Sequence, residues 1–283
     1  MNIGGYEIQA LETGRFWLDG GAMFGVVPKV LWSKTNPADR RNRVELASRV
    51  LLLRGRGRTI LVDTGMEAKF TTKQRRMYRL QAKRHHLLHS LAATGVDAGD
   101  VTDVILTHLH FDHAGGATVL RHGEPSATFP NARYYVQRRQ WQHALCATER
   151  DRASFLADDF APLKKAGRLQ LLDGACELFP CIRLLVFHGH TPGLQLPRIG
   201  DGKRTLFLAG ELFPTVAHLR VPWLMAYDLR PLEVLEEKQR LLAQIARERW
   251  TVVFQHDPHT VSARVRACEK GFEVVPGSGR VVA

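Results

Sequence analysis

Several signals that would settle a protein's class at once are missing from this chain. No apolar run approaches the roughly 20 residues that a membrane-spanning helix needs, so no membrane partner is expected. The opening stretch MNIGGYEIQALETGRF has neither a basic start nor an apolar core, and no signal peptide is read there. Cysteine is scarce: Cys146, Cys176, Cys181 and Cys268 show no CxxC pair. Their spacing fits neither a zinc knuckle nor a disulfide framework, which points to a reducing cytoplasm. No GxSxG occurs and no Ser-His-Asp arrangement is evident, so a serine nucleophile is not expected. Acids are few beside bases, 28 against 40, which leaves a net charge of +12. That excess favours anionic partners such as nucleic acid, phosphorylated substrates or an acidic surface.

The basic excess gathers in TTKQRRMYRLQAKRHH, residues 71–86, which holds six Lys/Arg and no acid at helical spacing. Two readings stay open for it: a solvated helix face, or a basic flap beside an active site. His85 and His89 lie at i and i+4, but with no carboxylate nearby they read as surface histidines.

What is present is an ordinary globular composition, with 45% apolar and 24% charged residues in 283. No internal repeat or low-complexity linker breaks the chain, so one domain over 1–283 is expected. RVLLLRGRGRTILVDTG reads as two strands joined by a glycine-containing turn, followed by a helix reaching about Ala92. VTDVILTH, ARYYVQ, LQLLDG, IRLLVFHGH, RTLFLAGELF and TVVFQHDPH read as strands. Helices are expected over 138–146 and in PLEVLEEKQRLLAQIARERW, which Pro231 opens. Interleaved strands and helices give the α/β class, with helices covering sheets.

One stretch carries chemistry. LTHLHFDHAGG places His108, His110, Asp112 and His113 within six positions. If the strand runs through them, His108 and His110 share a face, with Asp112 and His113 bending into the same crevice. Two imidazoles would then serve one cation, and a carboxylate plus an imidazole a second. With 13 histidines in 283 residues, HxHxDH arises by chance in about one such sequence per thousand. Satisfied core histidines are therefore a poor account of it. The coordination shells need distant partners at other strand ends. His190 in FHGHTPG, Glu211 in LFLAGELF and His256 in VVFQHDP are the candidates.

THLHFDHAGG, GHTPG, LFLAGE and FQHD together resemble the metal-binding motifs of the metallo-β-lactamase superfamily of metallohydrolases. AMFGVVPKVLW, TILVDTG, FPNARYYVQ and FPTVAHLRVPWLMAYD extend the resemblance over nearly the whole chain, toward the branch of quorum-quenching N-acyl homoserine lactonases. The resemblance implies a four-layer αββα sandwich with two divalent cations between the sheets, zinc first, with iron or manganese as alternatives. It assigns His108, His110 and His190 to one cation, and Asp112, His113 and His256 to the other. Asp63 would orient a ligand histidine. The family bridges its metals with an aspartate where this chain has Glu211, one methylene longer. Leu194 stands where many relatives repeat a histidine that is not usually a ligand.

The implied reaction is hydrolysis of a lactone or simple carboxylic ester by a metal-activated water. Asp112 would shuttle the proton and the Tyr227 hydroxyl would face the developing oxyanion. Trp223 and Met225 of VPWLMAYD would offer an apolar wall, ordinary core packing being the competing role for these aromatics. His218 and His259 have no required role. The rivals are a phosphodiesterase or RNA-processing nuclease, which the charge favours and the lack of a long inserted arm disfavours; a mononuclear iron thioester or persulfide enzyme; and a basic binding module with a structural metal. A homodimer is left open.

Overall fold

A computed structural model describes residues 1–66, 69–81, 86–269, 271–278 and 281. Two seven-stranded sheets lie face to face. The first begins with β1 (Asn2–Ile3), β2 (Tyr6–Asp19), β3 (Arg43–Gly55), β4 (Arg58–Val62) and β5 (Asp103–Ile105). A small hairpin of β6 (Thr118–Arg121) and β7 (Glu124–Ala127) intervenes before β8 (Arg133–Gln137) and β9 (Leu169–Leu172) complete that sheet. The second runs β10 (Cys176–Phe179), β11 (Ile182–Phe187), β12 (Leu194–Gly200), β13 (Thr205–Leu208), β14 (Thr251–Val253), β15 (Ser262–Cys268) and β16 (Gly271–Val275). In the first sheet β4, β5, β8 and β9 are parallel. In the second only β13 and β14 are.

Side-chain alternation explains why these strands look uniformly apolar in sequence. Leu51 and Leu53 of β3, with Ile60 and Val62 of β4, point into the core between the sheets. They meet Leu184, Ile199, Leu206, Leu208 and Val253 of the second sheet there. The alternate residues Val50, Leu52 and Leu61 face outward and are covered by helices. A strand buried on both faces loses the polar alternation of a half-exposed one.

The helical layers follow from the same requirement. Leu87 and Leu91 of α4 (His86–Ala92), Trp141 of α6 (Arg138–Leu145), and Phe160 and Leu163 of α7 (Ala157–Lys165) cover the first sheet. Val234, Leu241, Leu242 and Ile245 of α8 (Pro231–Glu248) cover the second. Helix, sheet, sheet, helix is the αββα order.

The glycine-containing turn between β3 and β4 is Arg56-Gly57, with φ of 52° and 71°. Two left-handed residues match the twist of flanking strands, and the hairpin closes Gly55 against Arg58. The helix expected to run through Ala92 is instead broken. Among the described residues it comprises α3 (Thr72–Met77), opened by a Thr71–Gln74 capping box, and then α4. Residues 82–85, including His85, lie outside the described residues. Two shorter helices, α1 (Gly20–Phe24) and α2 (Lys29–Trp32), follow β2, while α5 (Phe111–Ala114) is a single turn that carries Asp112 and His113. All four cysteines are free thiols. No helix among the described residues is long and apolar enough to cross a membrane.

Candidate metal centre

The candidate ligand side chains converge at one end of the sandwich, where strands stop and loops take over. The β5 strand ends at Ile105, so His108 and His110 stand beyond it rather than on it. Their side chains still meet, with ring centroids 4.4 Å apart, because the loop is pinned at Thr107. The Thr107 amide and hydroxyl donate to the two oxygens of the Asp63 carboxylate at 2.7 and 2.8 Å. α5 then carries Asp112 and His113. From the second sheet come His190 after β11, Glu211 on a short turn of helix after β13, and His256 after β14.

These seven residues form two adjoining groups. His108, His110 and His190 have ligand atoms mutually within 4.8 Å, as do Asp112, His113, Glu211 and His256. Glu211 therefore sits with the second group. One of its oxygens lies 3.1 Å from His113 Nε2 and 2.5 Å from His256 Nε2.

Their surroundings favour cations. Three of the rings have Nδ1 against an atom that can only accept. His113 Nδ1 donates to Asp63 at 2.8 Å, His190 Nδ1 to Asp228 at 2.9 Å, and His256 Nδ1 to the Ala47 carbonyl at 2.8 Å. Each bond fixes the proton on Nδ1 and leaves the Nε2 lone pair facing inward. His113 Nε2 and His256 Nε2 then face each other across 3.2 Å. His108 Nε2 and His110 Nε2 are fully buried and have no hydrogen-bond partner in the protein. Orphaned buried acceptors are costly, and a divalent cation is the group that would satisfy them. The donor set therefore fits two first-row divalent ions.

The electrostatics differ between the two groups. Burial, reinforced by the neighbouring imidazoles, holds His108 and His110 well below the ordinary histidine range, so they stay neutral donors. Burial would lower His113 too, but Asp112 and Asp63 outweigh it and raise its pKa well above that range. For Glu211 burial acts upward, yet His256 and His113 pull the carboxyl well below the usual value.

A pocket of about 320 Å³ opens over the groups. Leu18, Tyr78, Phe111 and Leu229 give it apolar walls, with His110, Asp112 and Glu211 reaching it from below. Tyr227 lines its mouth and is 37% exposed. Trp223 and Met225 do not line it: both are buried, Trp223 edge-on to Phe24. His218 is buried as well, stacked on Phe24 and bonded to Thr215 and the Met23 carbonyl. His259 is exposed and Leu194 lies in the core.

Asp63, anticipated as an orienting residue, occupies that place. Asp228 was overlooked, although VPWLMAYD ends with it and His190 needed an acceptor behind it. Thr107 and Gln255, the latter donating to Asp63 at 2.7 Å, were also missed. The one cue for them was adjacency to ligand histidines.

The arrangement identifies the class. Residues 43–256 match the metallo-beta-lactamase superfamily model, and the chain belongs to that superfamily. An N-acyl homoserine lactonase of Bacillus thuringiensis is 29% identical over 145 residues, covering 48% of this chain and 51% of that protein. The chain thus spans about half the length of that curated relative. A probable metal-dependent hydrolase from Staphylococcus aureus has a solved structure with TM-score 0.90 and 29% identity, covering 100% of both chains. AidC, a dizinc quorum-quenching lactonase solved with its product N-hexanoyl-L-homoserine, aligns with TM-score 0.81 at 22% identity, over 98% of this chain and 96% of that one.

Proposed function

We propose that this protein is a metal-dependent hydrolase that opens a lactone or cleaves a simple carboxylic ester. The observation that carries the reading is the pair of adjoining ligand groups, with their inward-facing nitrogens, beneath a pocket with apolar walls. The lactonase relatives supply the substrate class.

In this reading His108, His110 and His190 hold one divalent ion, and Asp112, His113 and His256 the other, with Glu211 joining the second. Zinc suits the imidazole-rich set. Bound there, the cations would supply Lewis acidity toward the carbonyl and a water of lowered pKa. The remaining work falls to the chain's own residues. Asp63 and Asp228 keep the ligand rings in one tautomer. Asp112 is partly solvent-exposed, so its carboxylate can take a proton and pass it outward. The Tyr227 hydroxyl stands at the pocket mouth to donate to an oxyanion. Burial first, with Tyr78 and Asp112 nearby, raises its pKa, so it stays a phenol. Tyr78 and Phe111, their rings stacked 4.9 Å apart, exclude water from one wall.

The test is metal quantification of the purified protein, followed by a panel of lactones, aryl esters, bis-aryl phosphodiesters and thioesters. Two equivalents of zinc per chain, with turnover confined to lactones and carboxylic esters, is the expected result. One iron per chain with thioester turnover would move the assignment to the mononuclear iron enzymes. His110→Ala should lose both bound metal and turnover. Full activity in that variant would remove the proposed site.

A further inference from the structure

Arg150 stands apart from the other residues lining the pocket. Among those described it is the one that carries a guanidinium or ammonium group, and it is exposed to solvent. One of its terminal nitrogens, Nη2, donates to the Ala226 carbonyl at 2.6 Å and the Asp228 carbonyl at 3.4 Å. Those carbonyls flank Tyr227, so the guanidinium is fixed at the pocket mouth beside that residue. The two bonds occupy one nitrogen of three.

No carboxylate among the described residues neutralises it. Arg150 forms no ion pair among the described residues. The acids next to it in sequence are committed elsewhere: Glu149 to Arg152 at 2.7 Å, and Asp151 to His143 at 2.5 Å and to the Thr148 amide and hydroxyl. Several arginines of this chain instead meet a carboxylate through two nitrogens, as Arg43 meets Asp39 and Arg138 meets Asp173. With Nε and Nη1 still free to donate, a fixed and unpaired guanidinium beside apolar walls can hold a carboxylate through a charge-assisted hydrogen bond.

We propose that Arg150 selects substrates carrying a carboxylate remote from the scissile ester or lactone carbonyl. This rests on the hydrolase reading and narrows it. Arg150 lines the pocket on its solvent side, whereas His110, His190 and Glu211 line it from the buried side. An acidic ester therefore binds in one orientation, its free carboxylate at Arg150 and its carbonyl toward His110, Asp112 and Glu211. A neutral acyl lactone gains nothing from Arg150.

The test compares two aryl esters of equal chain length, the monoaryl glutarate and the aryl valerate, in the metal-replete protein. The glutarate ester should be preferred by about tenfold in kcat/KM, mostly through KM, and added salt should erode the preference. Arg150→Gln should abolish the preference, and Arg150→Glu should reverse it. A merely structural Arg150, stapling the Tyr227 segment, would lower both esters in parallel and leave the ratio unchanged. That result, or wild-type preference for the valerate, overturns the proposal. Calorimetric binding of the corresponding anilides separates the two readings if neither ester turns over. In that case the hydrolase reading fails, while tighter binding of the glutarate anilide, lost in Arg150→Gln, still upholds the role of Arg150. Equal binding of the two anilides removes it.

Discussion

Asp63 holds a φ of 60°, a left-handed backbone that a residue with a β-carbon adopts at a cost of about 1–2 kcal/mol. The return is a fully buried carboxylate with four donors: the Thr107 amide and hydroxyl, Gln255 and His113. Asp63→Ala should relieve no strain and orphan all four, lowering stability by about 3 kcal/mol or more in a denaturant titration. Asp228→Asn is the milder probe. It keeps the shape behind His190 but weakens the acceptor, so zinc affinity should fall about 10–100-fold in a chelator competition. Unchanged affinity would show that His190 is oriented by packing alone. Lys238 illustrates the opposite sign of charge. It is buried, donates to the Arg220 and Trp223 carbonyls, and burial pushes its pKa down to about 7 despite the opposing pull of Asp228. In the unfolded chain the value is about 10.4. As pH falls from about 10 to about 7, the unfolded state takes up a proton that the native state does not, so this residue costs stability across that window. Below pH 7 the cost levels off because both states are protonated. The stability difference between Lys238→Met and wild type should therefore shift in favour of the variant as pH is lowered through the window. Parallel profiles would refute the assignment.

The α8 helix does more than cover the second sheet. Glu237 accepts from the His188 amide at 2.8 Å and from the Gly189 amide at 3.3 Å, while its neighbour Lys238 grips carbonyls of the 220–223 segment. One helical turn thus holds the loops on both sides of His190. Gly189 is pressed against α8 itself: a β-carbon there would lie 2.5 Å from Val234 Cγ2 and 2.6 Å from the Val234 backbone nitrogen. Gly189→Ala should push the loop off α8, reducing both melting temperature and zinc content. An alanine variant that binds zinc normally would mean the loop can shift without moving His190. Sequence periodicity exposed α8 because Pro231 starts it and its apolar stripe repeats. It did not expose α7, whose Pro162 and acidic first turn break the pattern. It also passed over β2, where Glu7, Gln9 and Glu12 interrupt the apolar residues along an edge pairing with β3. The candidate ligands were legible because HxHxDH is rare, and Asp63 because it stands in TILVDTG. Asp228 and Gln255 were not, since a lone aspartate or glutamine has no local signature.

At the scale of the whole molecule, the two sheets meet through an apolar centre and a polar seam near the metal groups. Gln195 of β12 donates to the Leu106 and Tyr135 carbonyls of the first sheet at 2.8 and 3.0 Å, and the Ala47 amide donates to the His256 carbonyl. Cations held between His108, His110 and His113 on one side and His190, Glu211 and His256 on the other would tie the sheets together. Zinc in thousandfold excess over its dissociation constant should add about 4 kcal/mol of stability, read as a fall in melting temperature on chelation. No change on chelation would place the metal outside the fold's thermodynamics. Core substitutions act independently of it. Leu208→Ala, between the sheets, should cost about 2–5 kcal/mol with or without metal. His113 and His256, whose nitrogens nearly touch, are separated by 143 positions. An ion arriving early in refolding therefore meets at most the short-range quartet around His108, and full capture has to wait for the late closure of long loops. Zinc should consequently slow unfolding while leaving the rate of collapse almost untouched.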